Sequence, residues 1–181
     1  NVTSETPVVL HVGRLAAEKN LFALTDAFIA IRQRQPRARL VLVGDGPERK
    51  ALHSRLPDAI FAGTRRGEDL AAHYASGDIF LFPSMTETFG NVTLEAMASG
   101  LPLAAYDYAA AAQHVRHGTN GLLATYGQTS DFTAMASELA ARHEQEPEKF
   151  RAMGRHARLT AESLDWECVV QEMETLLFSI A

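Results

Sequence analysis

The chain has 181 residues, enough for one well-buried domain, and its 46% hydrophobic content sets it among ordinary globular folds. A formal net charge of −5, with no basic face in the sequence, excludes a nucleic-acid-binding or membrane-binding surface in this stretch. A single cysteine, Cys168, excludes an internal disulfide and a cysteine-built zinc site, and reads as a packed thiol in a late helix.

The first apolar run, "PVVLHV" at residues 7–12, is strand-like and ends at Gly13. Leu21, Leu24, Phe28 and Ile31 then recur at helical spacing, which predicts an amphipathic helix over residues 19–35. "RLVLVG" (39–44) is the second strand, followed by a turn and a helix near 48–56. "AIFAG" (59–63) precedes a helix over 68–75, and "DIFLFPS" (78–84) precedes a helix built on "TETFGNVTLEAMASG" (86–100). "LPLAAYD" (101–107) is the fifth strand, a short helix lies near 110–116, and "GLLAT" (121–125) is a sixth. Residues 131–180 read as two or three further helices.

Strands and helices alternate, and the strands are continuous apolar runs. That pattern predicts an α/β domain: a doubly wound, parallel, Rossmann-like sheet with helices on both faces and extra C-terminal helices. No repeat or internal linker divides it, so residues 1–181 are expected to form one domain. The chain opens at Asn1 and reaches a strand almost at once, which reads as a piece of a longer polypeptide, with a processed mature protein as the alternative. The lack of a signal peptide or long apolar span fits a cytoplasmic, reducing compartment.

Ligands of such sheets sit beyond the C-terminal ends of the strands, which selects the loops to inspect. After the first strand, Arg14 and Lys19 suit a phosphate or diphosphate; an ordinary solvated helix start is the other reading. Glu18 between them pairs or caps locally. After the fourth strand, Gly90, Asn91, Val92 and Thr93 open a helix whose first N–H groups suit an anion, with Thr88 or Asn91 as candidate cap. Glu87 lies just outside that helix and Glu95 about one turn inside it, next to Leu94, Ala96 and Met97. Both carboxylates suit sugar hydroxyls, and a salt bridge hidden in the core is the alternative for Glu95. "GDGP" (44–47) reads as a turn with proline at a helix start, and Arg65 and Arg66 as solvated. His114 and His117 are too few to make a metal site, and no two aspartates are separated by a single residue, so no metal is expected.

These motifs together resemble the nucleotide-sugar-binding half of a retaining GT-B glycosyltransferase of the group 1 type. The resemblance rests on "VGRLAAEKN", "LVLVGDGPER", "GDIFLFPSMTETFGNVTLEAMASGLPL" and "HGTNGLL", in order, and spans nearly the whole chain. With "YDYAAA" added, it looks nearest to enzymes that use GDP-mannose to build mannosylated lipids or glycans. The resemblance implies catalytic roles for Arg14 and Lys19 on the leaving diphosphate and for Glu87 on the donor-sugar hydroxyls. It places the backbone of Phe89, Gly90 and Asn91 along the sugar and that of Val92 and Thr93 at the diphosphate. Glu95 would take the ribose hydroxyls, Gly63 and Thr64 would face the base, and Gly13 would edge the diphosphate.

The family often has Gly-Gly and then Glu after the fifth strand. This chain has Ala109, Ala110 and Gln113, so no contact is carried over there. The resemblance further implies a missing N-terminal domain of the same chain, which would bind a glycan or lipid acceptor and allow peripheral association with the inner face of a membrane. Residues from Phe150 onward, with Trp166, would pack across to that half. No cofactor is implied beyond the nucleotide-sugar donor, GDP-mannose in the first instance, and no nucleic-acid partner. A nucleotide-sugar epimerase of the same architecture and a non-catalytic nucleotide-binding domain are the rival readings.

Overall fold

The computed structural model describes residues 6–87 and 90–164, together with 170, 173–175 and 178. Cys168, Trp166, Thr88 and Phe89 lie outside the described residues. Six strands run in chain order: β1 (Val8–Val12), β2 (Arg39–Val43), β3 (Ile60–Gly63), β4 (Ile79–Phe82), β5 (Leu103–Tyr106) and β6 (Leu122–Ala124). They form one sheet in the order β3-β2-β1-β4-β5-β6, and every pairing is parallel. The helices between and after them are α1 (Leu21–Arg34), α2 (Arg49–Arg55), α3 (Gly67–Ala75), α4 (Asn91–Ala98), α5 (Ala109–His114), α6 (Thr129–Gln145) and α7 (Pro147–Glu162). The expected doubly wound α/β architecture is what the chain forms.

Burial explains the continuous apolar runs. Every residue of β1, β4 and β5 is buried, because these central strands are covered on both faces, whereas β3 at the sheet edge is only partly covered. On one face Val9, Leu40, Leu42 and Leu81 meet Leu24, Phe28 and Ile31 of α1 and Phe132, Ala136 and Leu139 of α6. On the other, Leu10, Phe80 and Leu103 meet Tyr74 of α3 and Ala96 and Met97 of α4. Each such Leu or Phe contributes about 1.5–3 kcal/mol by leaving water, so the two layers fix the sheet and with it the positions of the loops.

One expectation changes. α1 starts at Leu21, not at residue 19: Ala17–Lys19 form a separate 3-10 turn, and Asn20, left-handed at φ 49°, ends it and caps α1. Lys19 is therefore the last residue of that turn, outside α1. Phe150, Met153 and Ala157 of α7 are buried in the cores of this domain, so this part of α7 packs on its own sheet and helices. Gly154 permits that approach: a Cβ there would lie 2.3 Å from the Gly100 carbonyl oxygen, at the end of α4.

Candidate functional site

The strand order reverses between β1 and β4, where an open α/β sheet leaves a crevice at its C-terminal edge. The β1–β2 ladder continues to Val12 and Val43, but the β1–β4 ladder ends at Leu10 and Phe80. Past that point the imidazole of His11 reaches across, and its Nδ1–H donates to the Leu81 carbonyl at 2.9 Å. His11 is wholly buried and stacks on Phe82. Burial lowers its pKa to about 4, the Leu81 bond opposes that, Lys19 adds to it, and Glu87 opposes it. The ring is therefore neutral at physiological pH, with Nε2 unprotonated and unpartnered among the described residues.

The loops after β1 and β4 close over this point. Met85 N–H donates to the Glu18 carbonyl at 3.3 Å. Lys19 Nζ donates to the Thr86 carbonyl at 3.3 Å and forms an ion pair with Glu87 Oε1. Ser84 Oγ donates to the same carboxylate oxygen, and Lys19 also stands over the Phe82 ring. The Lys19 and Glu87 side chains are only 17% and 13% exposed, so the pair is largely out of water. Arg14, by contrast, is 68% exposed and held loosely by Glu18 at 3.4 Å.

The β1 loop is braced from β2. Leu15 N–H donates to the Asp45 carbonyl, and Glu48 N–H donates to the Leu15 carbonyl, each at 2.9 Å. A Cβ on Gly44 would lie 1.9 Å from the Gly13 carbonyl oxygen, and one on Gly46 would lie 2.3 Å from that of Leu15. The "GDGP" turn is thus a support for the Gly13–Leu15 backbone, which needs glycine for the close approach.

Gly90, left-handed at φ 72°, stands at the N-cap of α4, so the candidate cap Asn91 is instead its first helical residue; the other candidate, Thr88, lies outside the described residues. A Cβ on Gly90 would sit 2.6 Å from that of Ala110, so α4 begins hard against the start of α5. Asn91 is exposed, Val92 half-buried and Thr93 buried; the Thr93 N–H is already bonded to the Gly90 carbonyl at 2.9 Å. Ala109 occupies the left-handed region at φ 50°. That is where the resemblance expected glycine.

Glu95 is not in a core salt bridge. It is exposed and forms no ion pair among the described residues. The buried Tyr74 hydroxyl on α3 donates to its Oε2 at 2.8 Å. Gly63, left-handed at φ 74°, and the exposed Thr64 lie at the end of β3, just before α3. Arg65 bonds the Ala62 carbonyl and Asp69, rather than standing free.

The geometry brings Lys19 and Glu87 together through the β1 and β4 loops, and Glu87 shares a small cavity with Gly90 and Thr93 at the start of α4; Arg14 meets only Glu18, and Glu95 is tied to α3 through Tyr74. His117 Nδ1 accepts from the Leu123 N–H at 3.1 Å and so serves the β6 backbone instead of pairing with His114. Among the described residues no three His, Cys, Asp or Glu side chains converge as metal ligands. No helix there is long and apolar enough to cross a membrane. His11, Ser84 and Tyr74 belong to the site and were not singled out from sequence. A polar residue inside the apolar run "VVLHV" was the visible signal for His11. Nothing local marks Tyr74, whose partner lies 21 positions away.

Residues 6–142 match the family described as glycosyl transferases, group 1. The chain is 34% identical over 186 residues to the sulfoquinovosyl transferase SQD2 of Arabidopsis thaliana, covering 100% of this chain and 35% of that protein. It is 42% identical over 122 residues to a GDP-mannose-dependent alpha-mannosyltransferase of Mycobacterium tuberculosis, covering 67% and 31%. The crystal structure of Anabaena HepE in complex with UDP superposes with a TM-score of 0.80 at 29% identity, over 95% of this chain and 48% of that one. The chain therefore spans about a third of the length of these two curated relatives.

Proposed function

The chain belongs to the group 1 glycosyl transferases, and from that premise we propose that it is the donor-binding domain of a two-domain enzyme. It binds a nucleotide-diphosphate sugar. With its missing N-terminal domain, it transfers the sugar to an acceptor hydroxyl with retention of anomeric configuration. The observation that carries the reading is the Lys19–Glu87 pair, a cation and a carboxylate held together in the crevice where the sheet order reverses. Such a pair can part over a ligand that is anionic at one end and rich in hydroxyls at the other.

In that complex Lys19 and Arg14 meet the diphosphate, with Gly13 at its edge. The backbone at Gly90, Asn91, Val92 and Thr93 borders the phosphate and the sugar. Glu87 accepts from sugar hydroxyls, Glu95 from the ribose, and Gly63 and Thr64 face the base. Positive groups placed at the leaving diphosphate stabilise the charge that develops in the transition state. Mannose from GDP-mannose is the proposed donor, supported by the mannosyltransferase relatives. The acceptor is a glycan or lipid bound by the other domain, which also carries any membrane contact. A thermal-shift panel of GDP-, UDP- and ADP-sugars tests this, since a ligand bound only by the native state raises apparent stability. GDP-mannose should give the largest shift. No shift with any nucleotide sugar would sink the domain assignment.

A further inference from the structure

We propose that Tyr74 is a positioning residue for nucleotide recognition: its buried hydroxyl holds Glu95 in the orientation that reads the ribose of the donor. The proposal rests on the assignment of Glu95 above and adds a residue on a different helix.

Three observations support it. Tyr74 is 3% exposed and its ring lies 6.0 Å from that of Phe80, so the phenol is fixed by packing against a central strand. Its hydroxyl donates to Glu95 Oε2 at 2.8 Å. Glu95 is exposed and forms no ion pair among the described residues, and its side chain carries a hydrogen bond there only at Oε2. Burial raises the Tyr74 pKa further above its usual range, and the adjacent carboxylate adds to that, so the hydroxyl stays a donor at any working pH.

The chemistry follows. A free Glu on a helix surface samples several rotamers and must give up that freedom when a ligand binds. A fixed donor on one oxygen removes that cost before binding and leaves the other oxygen to accept from a ribose hydroxyl. The link also joins α3, which follows the proposed base-facing loop at Gly63 and Thr64, to α4, which starts at the phosphates. A buried tyrosine hydroxyl needs some acceptor in any case. A mere brace between α3 and α4 would satisfy it without affecting how the site discriminates sugars.

The test is calorimetric titration of the 181-residue chain with GDP and UDP and with their 2′,3′-dideoxy counterparts. Wild type, Tyr74→Phe, Glu95→Gln and the double variant are compared, and inorganic pyrophosphate serves as a ribose-free competitor. The wild type should prefer the ribonucleotide by roughly tenfold or more, the usual value of a hydrogen bond to a charged group. Tyr74→Phe should cut that preference about threefold or more while leaving pyrophosphate affinity unchanged, and the double variant should match Glu95→Gln. A thermal melt checks that Tyr74→Phe, which removes one oxygen atom, stays folded. Equal weakening of ribo and dideoxy ligands, or no change in the preference, would overturn the role of Tyr74 while Glu95→Gln still lost it. If Glu95→Gln kept the full preference, the ribose assignment itself would fall, and this proposal with it.

Discussion

Lys19 and Glu87, 68 residues apart in sequence, meet as an ion pair in the crevice between β1 and β4. Each neutralises the other at a point largely out of water. On the proposed assignment, donor binding exchanges one set of charge partners for another inside a partly dry site, where an unpaired charge is costly.

That exchange separates the two residues experimentally. Lys19→Ala should weaken GDP binding by roughly 1.5–3 kcal/mol, the range for charge-assisted hydrogen bonds, and leave guanosine binding nearly unchanged. Glu87→Gln should leave GDP affinity unchanged or slightly improved, because Lys19 loses a competing partner, and should remove the increment that GDP-mannose shows over GDP. Isothermal titration of both variants with the three ligands checks this. Parallel loss of GDP and GDP-mannose in Glu87→Gln would mean that the carboxylate serves only to hold Lys19.

Metal dependence is a second prediction. In the proposed complex Arg14, Lys19 and the opening turn of α4 supply positive charge and donors to the diphosphate. Binding of GDP-mannose should persist in excess EDTA, with an affinity within about threefold of that in magnesium. A requirement for magnesium or manganese in calorimetry would contradict it. Arg14→Ala, at a side chain 68% exposed, should weaken diphosphate binding without changing the melting temperature.

His11 predicts a pH dependence of stability. Its folded pKa, about 4, lies below the ordinary 6.5, chiefly because the ring is buried. Between those values the unfolded chain binds a proton that the folded chain does not. The stabilisation is therefore complete above pH 6.5 and is lost as the pH falls toward 4. Between pH 7.5 and 5 this costs on the order of 2 kcal/mol. His11→Gln keeps a donor and an acceptor but does not titrate, so its urea unfolding free energy should fall less over that interval. Identical pH slopes for the two proteins would refute the buried neutral imidazole.

Ala109 predicts a gain. It is held at φ 50°, where an L-residue with a Cβ is strained by about 1–2 kcal/mol. Ala109→Gly relieves that strain but loosens the unfolded chain, so the net stabilisation should be about 0.5–1 kcal/mol. A higher urea midpoint at unchanged m-value would show it. Gly90→Ala should do the opposite, because its Cβ would meet that of Ala110 at 2.6 Å. An Ala109→Gly variant less stable than wild type would count against the strain.

The sequence by itself determined the architecture, because each element's period and burial are local properties. Short continuous apolar runs bounded by glycine and turn residues suit strands of a covered sheet, and the spacing of Leu21, Leu24, Phe28 and Ile31 presents one face of a helix. It also marked the loops that matter, since glycine and charge at a strand end stand out from the apolar pattern before them. Only the tertiary structure decided which partners those residues have. Arg14 and Lys19 look equivalent in "GRLAAEKN", but the 3-10 turn and Asn20 leave Arg14 in water and carry Lys19 to Glu87. Glu95 sits among apolar letters yet is exposed, because on a helix the buried Ala96 and Met97 face the sheet while their neighbour points away. Tyr74 and His11 gain their partners from atoms 21 and 70 positions away, and no local pattern encodes a contact made where two strands part or where a side chain of one helix reaches another helix.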